Sequence, residues 1–379
     1  PHTYFADIRA APPPGGYDLK LPWELSRCQH FAWMGQAYWF SDDERYAAEF
    51  VAQVTDWIAH NPPRLGVNWA CAMDVAIRAV NWLWGYAFFQ ASPALTAAFR
   101  LAFWKSLLQH GRHIFANLEY SETLTSNHYL SDVVGLVYLG IMMPEFAEAQ
   151  QWRSFGLTAL EQEMFKQVYP DGADFEASIS YHRLVAELFL SATLLAQRNG
   201  YSFSDAYLER LEKMADFTQA VTRPDGAVPL IGDCDNGRLH RLKAWGGDLR
   251  EWCDHRHLLA TSAALFDRPD FAHSAGDQWE EAIWLTGATA RDWAAQADET
   301  HPSGHPLGSR RFPDAGVHIL RSGQTYIIVD AGGNGQNGNG GHAHNDALSF
   351  EWFAAGRTLV TDPGTGVYTA DYATRNRYR

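Results

Sequence analysis

Apolar residues recur at three- and four-residue steps through most of this chain. Between Trp23 and Phe40, the residues Leu25, Cys28, Phe31, Met34 and Ala37/Tyr38 follow that spacing, which puts them on one side of a helix. Ser41-Asp42-Asp43-Glu44 then supplies a capping serine with acidic residues in the next first turn. That next helix runs to about Trp57 and stops before Asn61-Pro62-Pro63. Further helices are expected over 69–89, 93–117, 127–142, 145–168, 176–199 and 204–222, and the pattern stays mostly helical to about Leu285. Gly, Pro and Asn punctuate them, as at Asn199-Gly200 and Pro224-Asp225-Gly226. Helices of similar length on short loops predict helical hairpins arranged in a ring or superhelix.

The period changes near Arg311. Val317-His318-Ile319-Leu320-Arg321 alternates, Ser322-Gly323-Gln324 turns, and Thr325 to Val329 is rich in β-branched residues, which together predict strand, turn and strand. Residues 347–355 and 358–361 read as further strands beyond a Gly/Asn-rich loop. The expected fold class is therefore α+β and multidomain. Residues 1–20 (containing APPPGG) form a linker or loop, 21–310 a helical domain, and 311–379 the beginning of an antiparallel β domain.

Composition narrows the function. The 379 residues are 46% hydrophobic and 20% charged, an ordinary globular balance. The 14% aromatic share is core material first and sugar-stacking surface second. A net charge of −14 argues against nucleic acid and anionic membrane surfaces as partners, and means that an anionic substrate needs a locally basic cleft. Four cysteines without a CxxC pair exclude a zinc finger or thioredoxin-like motif and leave the redox compartment open. No run of eighteen apolar residues occurs, so no membrane insertion is expected. The chain starts at Pro1, not Met, which reads as a fragment without a visible signal.

Three segments carry candidate chemistry. In Ser126-Asn127-His128-Tyr129-Leu130-Ser131-Asp132, Asn127 reads by itself as a helix cap and His128 as a surface side chain. After the Pro170-Asp171-Gly172 turn, Glu176 reads as a first-turn acid, while Tyr181 lies in a stripe with Leu184, Val185 and Leu188 and by itself reads as core. The sharpest segment is the Gly/Asn-rich run that ends His342-Ala343-His344-Asn345-Asp346. On a strand, His342, His344 and Asp346 would share one face. Two His so spaced suit either metal ligation or proton transfer, and the glycines would let backbone N–H groups approach an anion.

At these segments the chain resembles the heparinase II/III-like polysaccharide lyases, which include heparin and heparan sulfate lyases and oligoalginate lyases. The matching pieces are SNHYLSD at 126–132, the PDG…E.S..YH pattern at 170–182, and GGHAHNDALSFEWFAAGRTLVTDPGTGVYT at 340–369, in the same helices-then-strands order. The last piece is the specific one. The span from Asn68-Trp69 through Arg78 and Trp82 also resembles the family's toroid.

The resemblance implies an incomplete (α/α) toroid followed by an antiparallel β-sandwich, and β-elimination at a uronic acid. Removing the C5 proton builds charge on the uronate carboxylate while O4 leaves, so the chemistry requires a carboxylate neutraliser, a base and an acid. By motif, Asn127 would bond the substrate carboxylate, Tyr181 would act as base, acid or both, and His342 would be the other proton-transfer group. His128, Arg183 and Glu176 would contact substrate. No organic cofactor is implied. His344 and Asp362 occupy the places of ligands to a structural divalent metal, zinc by donor type, with a third ligand expected beyond Arg379. The expected partner is an anionic uronate polysaccharide or oligosaccharide. The absence of a Lys/Arg cluster favours an unsulfated one. The expected location is periplasmic or secreted, with the cytoplasm left open. Two rivals stand beside this reading: an (α/α)-barrel glycoside hydrolase using Glu176 with Asp174 or Asp225, and a non-catalytic polysaccharide-binding or export protein of the same fold.

Overall fold

A computed structural model describes residues 2–8, 18–244, 246, 249–299, 307–368 and 371–378. The APPPGG run of the expected linker therefore lies outside the described residues. The remaining chain divides into two compact units. The first comprises Pro1–Leu160, Leu239–Ala244 and Thr369–Tyr372, and the second Glu161–Arg238, Trp245–Tyr368 and Ala373–Arg379.

The first unit is helical: α1 Lys20–Ser26, α2 His30–Ser41, α3 Glu44–His60, α4 Ala72–Phe89, α5 Ala97–Ala116, α6 Asn127–Met142 and the start of α7 Ala149–Gln167. The single helix expected over 23–40 is two, because Cys28 takes a left-handed φ of 55° between α1 and α2. The cap expected at Ser41 falls on Asp43, whose carboxylate accepts the Arg45 N–H, while Ser41 is the last residue of α2. Helix α4 is apolar nearly all round and packs against α2, α5 and α6, so it is a core helix. Its approach to α6 requires Gly135, where a Cβ would come within 2.7 Å of the Ala76 Cβ. Arg78, fully buried on α4, lies 4.3 Å from the Trp57 ring centroid and donates to Ser26 Oγ, the Asn68 carbonyl and His110 Nε2. These bonds satisfy a charge that burial alone would make costly.

The second unit contains the rest of α7, α8 Ile179–Arg198, α9 Asp205–Val221, α10 Arg256–Phe266, α11 Pro269–Ala275, α12 Glu280–Thr286, α13 Ala288–Glu299, a sheet, and α14 Tyr372–Tyr378, most of which belongs to it. The change from helix to strand comes where the sequence places it, at β1 Arg310–Phe312. Strands β2 Val317–Ser322, β3 Thr325–Asp330, β4 Phe350–Ala354 and β5 Arg357–Val360 follow, all antiparallel in sequential order. The buried face presents Phe312, Val317, Ile319, Tyr326, Ile328 and Phe353 to Ile179 of α8 and to Phe217, Ala220 and Val221 of α9. Leu320 and Trp352, which alternate with those positions, are exposed. Helices followed by an antiparallel sheet is the order the sequence predicts. No described helix is long and apolar enough to cross a membrane.

Candidate functional site

The chemistry-bearing residues of the second unit gather where α8 begins. Ser178 caps this helix, accepting the Tyr181 N–H at 3.2 Å and donating its hydroxyl to the Asp233 carbonyl at 2.7 Å. The cap thus pins the first turn of α8, and with it Tyr181, to the 233–237 segment. The Tyr181 ring stacks on the His342 ring at 3.6 Å between centroids and 12° between planes. The Tyr181 hydroxyl donates to Asp235 Oδ2 at 3.1 Å and also bonds the Tyr368 hydroxyl. With the Tyr181 hydroxyl hydrogen directed at the carboxylate, Tyr368 is the donor in that second bond. Burial, then the charge of Asp235 and the neighbouring Tyr368, push the Tyr181 phenol well above its usual range. It therefore carries its proton at neutral pH.

His342 is held from behind. Glu176, wholly buried, bonds His342 Nδ1, and Gln336 Nε2 donates to the same carboxylate oxygen at 3.0 Å. An ionised carboxylate only accepts, so Nδ1 bears the proton and Nε2 has its lone pair available. Glu176 precedes α8 and does not lie in its first turn, so the helix dipole does not account for it. It contacts His342 and Gln336, and it presents no oxygen to solvent.

The strand-like alternation expected at 342–346 is not there, since these residues form a loop between β3 and β4. Glycine and asparagine leave the segment without a ladder partner, so strand periodicity cannot orient its side chains. Contacts orient them instead. The His342 carbonyl accepts the Asp233 N–H at 2.8 Å, and His344 Nε2 lies 3.0 Å from Asp233 Oδ1. Arg375 donates to Asp233 Oδ2 at 3.0 Å. Asn334, Asn339, Asn345, Asn376 and His344 line an open pocket of about 270 Å³ beside this loop. Asp362 is half-buried, and burial raises its carboxyl above the usual range, with Asp346 adding to this while the Gly364 N–H and His344 oppose it. The Asp346 Oδ2 is buried without a hydrogen-bond partner.

Arg183 is buried and donates to the Trp252, Asp235 and Gly237 carbonyls. It braces the segment that presents Asp235, a supporting position rather than the exposed one expected of a substrate contact. Asn127 and His128 belong to the first unit. Asn127 is wholly buried in the first turn of α6, and the cap position is Ser126. His128 is partly exposed, with Nδ1 at 3.0 Å from Glu119 Oε1.

Sequence reasoning missed Asp233, Asp235 and Tyr368. Tyr368 lay inside the quoted 340–369 block, and Asp233-Cys234-Asp235-Asn236-Gly237 is an acidic, turn-rich run with a packing purpose no more obvious than that of the histidine loop.

Helices succeeded by an antiparallel sheet recur in solved proteins. A crystal structure titled heparan sulfate lyase HepC from Pedobacter heparinus superposes with a TM-score of 0.60 at 27% identity, over 96% of this chain and 52% of that one. One titled heparinase III shares the fold at a TM-score of 0.73 and 22% identity, over 94% of this chain and 53% of that one. Among curated proteins, the heparin-sulfate lyase of Pedobacter heparinus is 28% identical over 96% of this chain, and that of Bacteroides stercoris 31% identical over 93%. The chain spans 51% of the length of each. Residues 2–254 match the family described as Heparinase II/III N-terminus and residues 304–379 the one described as Heparinase II/III-like, C-terminal. The chain belongs to the heparinase II/III family.

Proposed function

We propose that this chain carries the catalytic residues of a polysaccharide lyase that cleaves a uronate polysaccharide by β-elimination. The observation that carries the reading is the Tyr181–His342 stack, with a protonated phenol on one side and an imidazole Nε2 lone pair on the other. In this reaction the C5 proton passes to His342 Nε2. The C5–H electrons form the C4=C5 double bond, the C4–O4 bond breaks, and O4 takes the Tyr181 proton. Tyr368, already bonded to the Tyr181 oxygen, then donates its hydroxyl to the developing phenolate. The part given to Asn127, neutralising the uronate carboxylate, rests on its motif.

The hydrolase alternative is disfavoured by its own acids. Glu176 and Asp174 are buried, and Asp225 is paired with Arg223 on an exposed turn. The names of the curated relatives make heparan sulfate the first substrate to assay, followed by unsulfated uronate chains. A polymeric substrate fits a periplasmic or secreted location. By motif, His344 and Asp362 are two candidate ligands of a structural divalent ion, zinc by donor type. No step of the elimination passes through that ion, and Asp362→Asn should cost one bound equivalent in metal analysis of the whole protein.

The test is ultraviolet absorbance of the conjugated uronate product, measured with the complete protein on that panel. Absorbance should rise, and Tyr181→Phe should lower kcat by about 10²–10⁴. New reducing ends without absorbance would replace the lyase with a hydrolase.

A further inference from the structure

Outside the residues gathered at the start of α8, the described residues hold one other convergence of reactive side chains. Cys71 caps α4 in extended backbone, Glu119 lies on the loop after α5, and His128 is the second residue of α6. Three separated segments of the first unit thus bring a thiol, a carboxylate and an imidazole together. Cys71 Sγ is 3.9 Å from His128 Nδ1 and 3.9 Å from Glu119 Oε1, and Nδ1 is 3.0 Å from Oε1.

We propose that Cys71, Glu119 and His128 are three ligands of a divalent metal site, with zinc or a similar borderline ion as occupant. A tetrahedral ion bonded at about 2.3 Å to sulfur, 2.0–2.1 Å to nitrogen and 2.0–2.2 Å to oxygen places its ligands roughly 3.3–3.6 Å apart. The triangle here needs only a few tenths of an ångström of adjustment on each edge. Donor softness agrees, since thiolate, imidazole and carboxylate suit zinc and not calcium or magnesium.

Two further features favour an ion over a simple Glu–His pair. The ligand carboxylate is already oriented: Glu119 Oε2 accepts the Met73 N–H at 2.8 Å, and the Glu119 N–H donates to Asp132 Oδ2 at 2.7 Å. Asp132 itself is wholly buried and its Oδ1 makes no hydrogen bond. Two carboxyl groups and a thiol around one imidazole leave this spot short of positive charge, which a divalent cation supplies. Cys71 is buried while Glu119 and His128 are partly exposed, so the three protein ligands lie at the edge of the core, where a water can complete a tetrahedron. On binding, the Cys71 thiol gives its proton to solvent, and His128 ligates through Nδ1 with its proton on Nε2.

The site is separate from His344 and Asp362, and its test separates it from the lyase reading because the readout is spectroscopic. The whole chain is stripped with a chelator and titrated with Co²⁺. One equivalent should give tetrahedral cobalt bands in the visible and a thiolate-to-cobalt charge-transfer absorption in the near ultraviolet, both bleached by Zn²⁺. Cys71→Ser should abolish the charge-transfer absorption and Cys234→Ser should keep it. Glu119→Gln, which leaves the thiol in place, should weaken Co²⁺ binding at least tenfold. No charge-transfer absorption, its survival in Cys71→Ser, or unchanged affinity in Glu119→Gln would each overturn the site.

Discussion

His182 follows Tyr181 in sequence, and both of its ring nitrogens are committed. Nδ1 accepts the Asp174 N–H at 3.2 Å, so Nε2 bears the proton and donates to the Met214 carbonyl at 3.1 Å. Protonating Nδ1 would break the first bond in a buried site, and burial pushes the imidazole down to about 4. The folded chain therefore resists a proton that the unfolded chain accepts below about 6.5. Its contribution to stability is intact above that value and is lost as pH falls toward 4. The expected loss from this residue between pH 7 and pH 5 is about 2 kcal/mol. Denaturant titrations at the two pH values should show that difference shrinking in His182→Gln, and an unchanged difference would remove His182 as its source. Residue identity was informative at this scale: Asn127, Tyr181 and His342 stood out by type and motif. The partners did not. Asp235, Tyr368 and the buried stance of Glu176 depend on segments from 54 to 187 residues distant in sequence meeting in space, and no local pattern encodes such meetings.

Helix existence and helix ends differ in how they are encoded. The core of α6 is a long apolar repeat and was readable as such, because burial of a helix face selects that spacing. Ends are set by single backbone conformations, such as the left-handed Cys28 between α1 and α2, which the apolar spacing runs straight across. The loop that carries His342 is held by another such position. Gly335 has φ 63°, and an added Cβ would meet the Phe175 carbonyl and the Ala177 Cβ at 2.7 Å. The next N–H, that of Gln336, bonds the same Phe175 carbonyl, and Gln336 in turn contacts Glu176. Gly335→Ala should destabilise the protein by more than about 2 kcal/mol and lower turnover with it. Gly323→Ala, at a turn with a similar φ of 55° but open space around it, should cost only about 1 kcal/mol. Equal losses on denaturation would mean that the close contact at Gly335 does not matter.

At the scale of the molecule, the boundary between helix and strand is not a boundary between compact units. Helices α8 and α9 share one apolar cluster with β1 to β4. A chain ended before β1 should therefore leave Ile179, Phe217, Ala220 and Val221 without a partner. It should bind a hydrophobic dye and lose cooperative unfolding of that unit. Retained cooperativity would show that α8 and α9 pack well enough without the sheet.

The sequence by itself determined most of the element types and their order, and picked out three segments as candidates for chemistry, because hydrophobic period, turn residues and motif identity are local properties of a chain. Tertiary structure alone decided what those residues do to one another. It turned Glu176 inward against His342, set Asp235 and Tyr368 on the Tyr181 hydroxyl, and drew Cys71, Glu119 and His128 into one triangle. Tautomer, proton affinity and ligand geometry are set by neighbours a few ångströms away, and those neighbours come from anywhere in the chain.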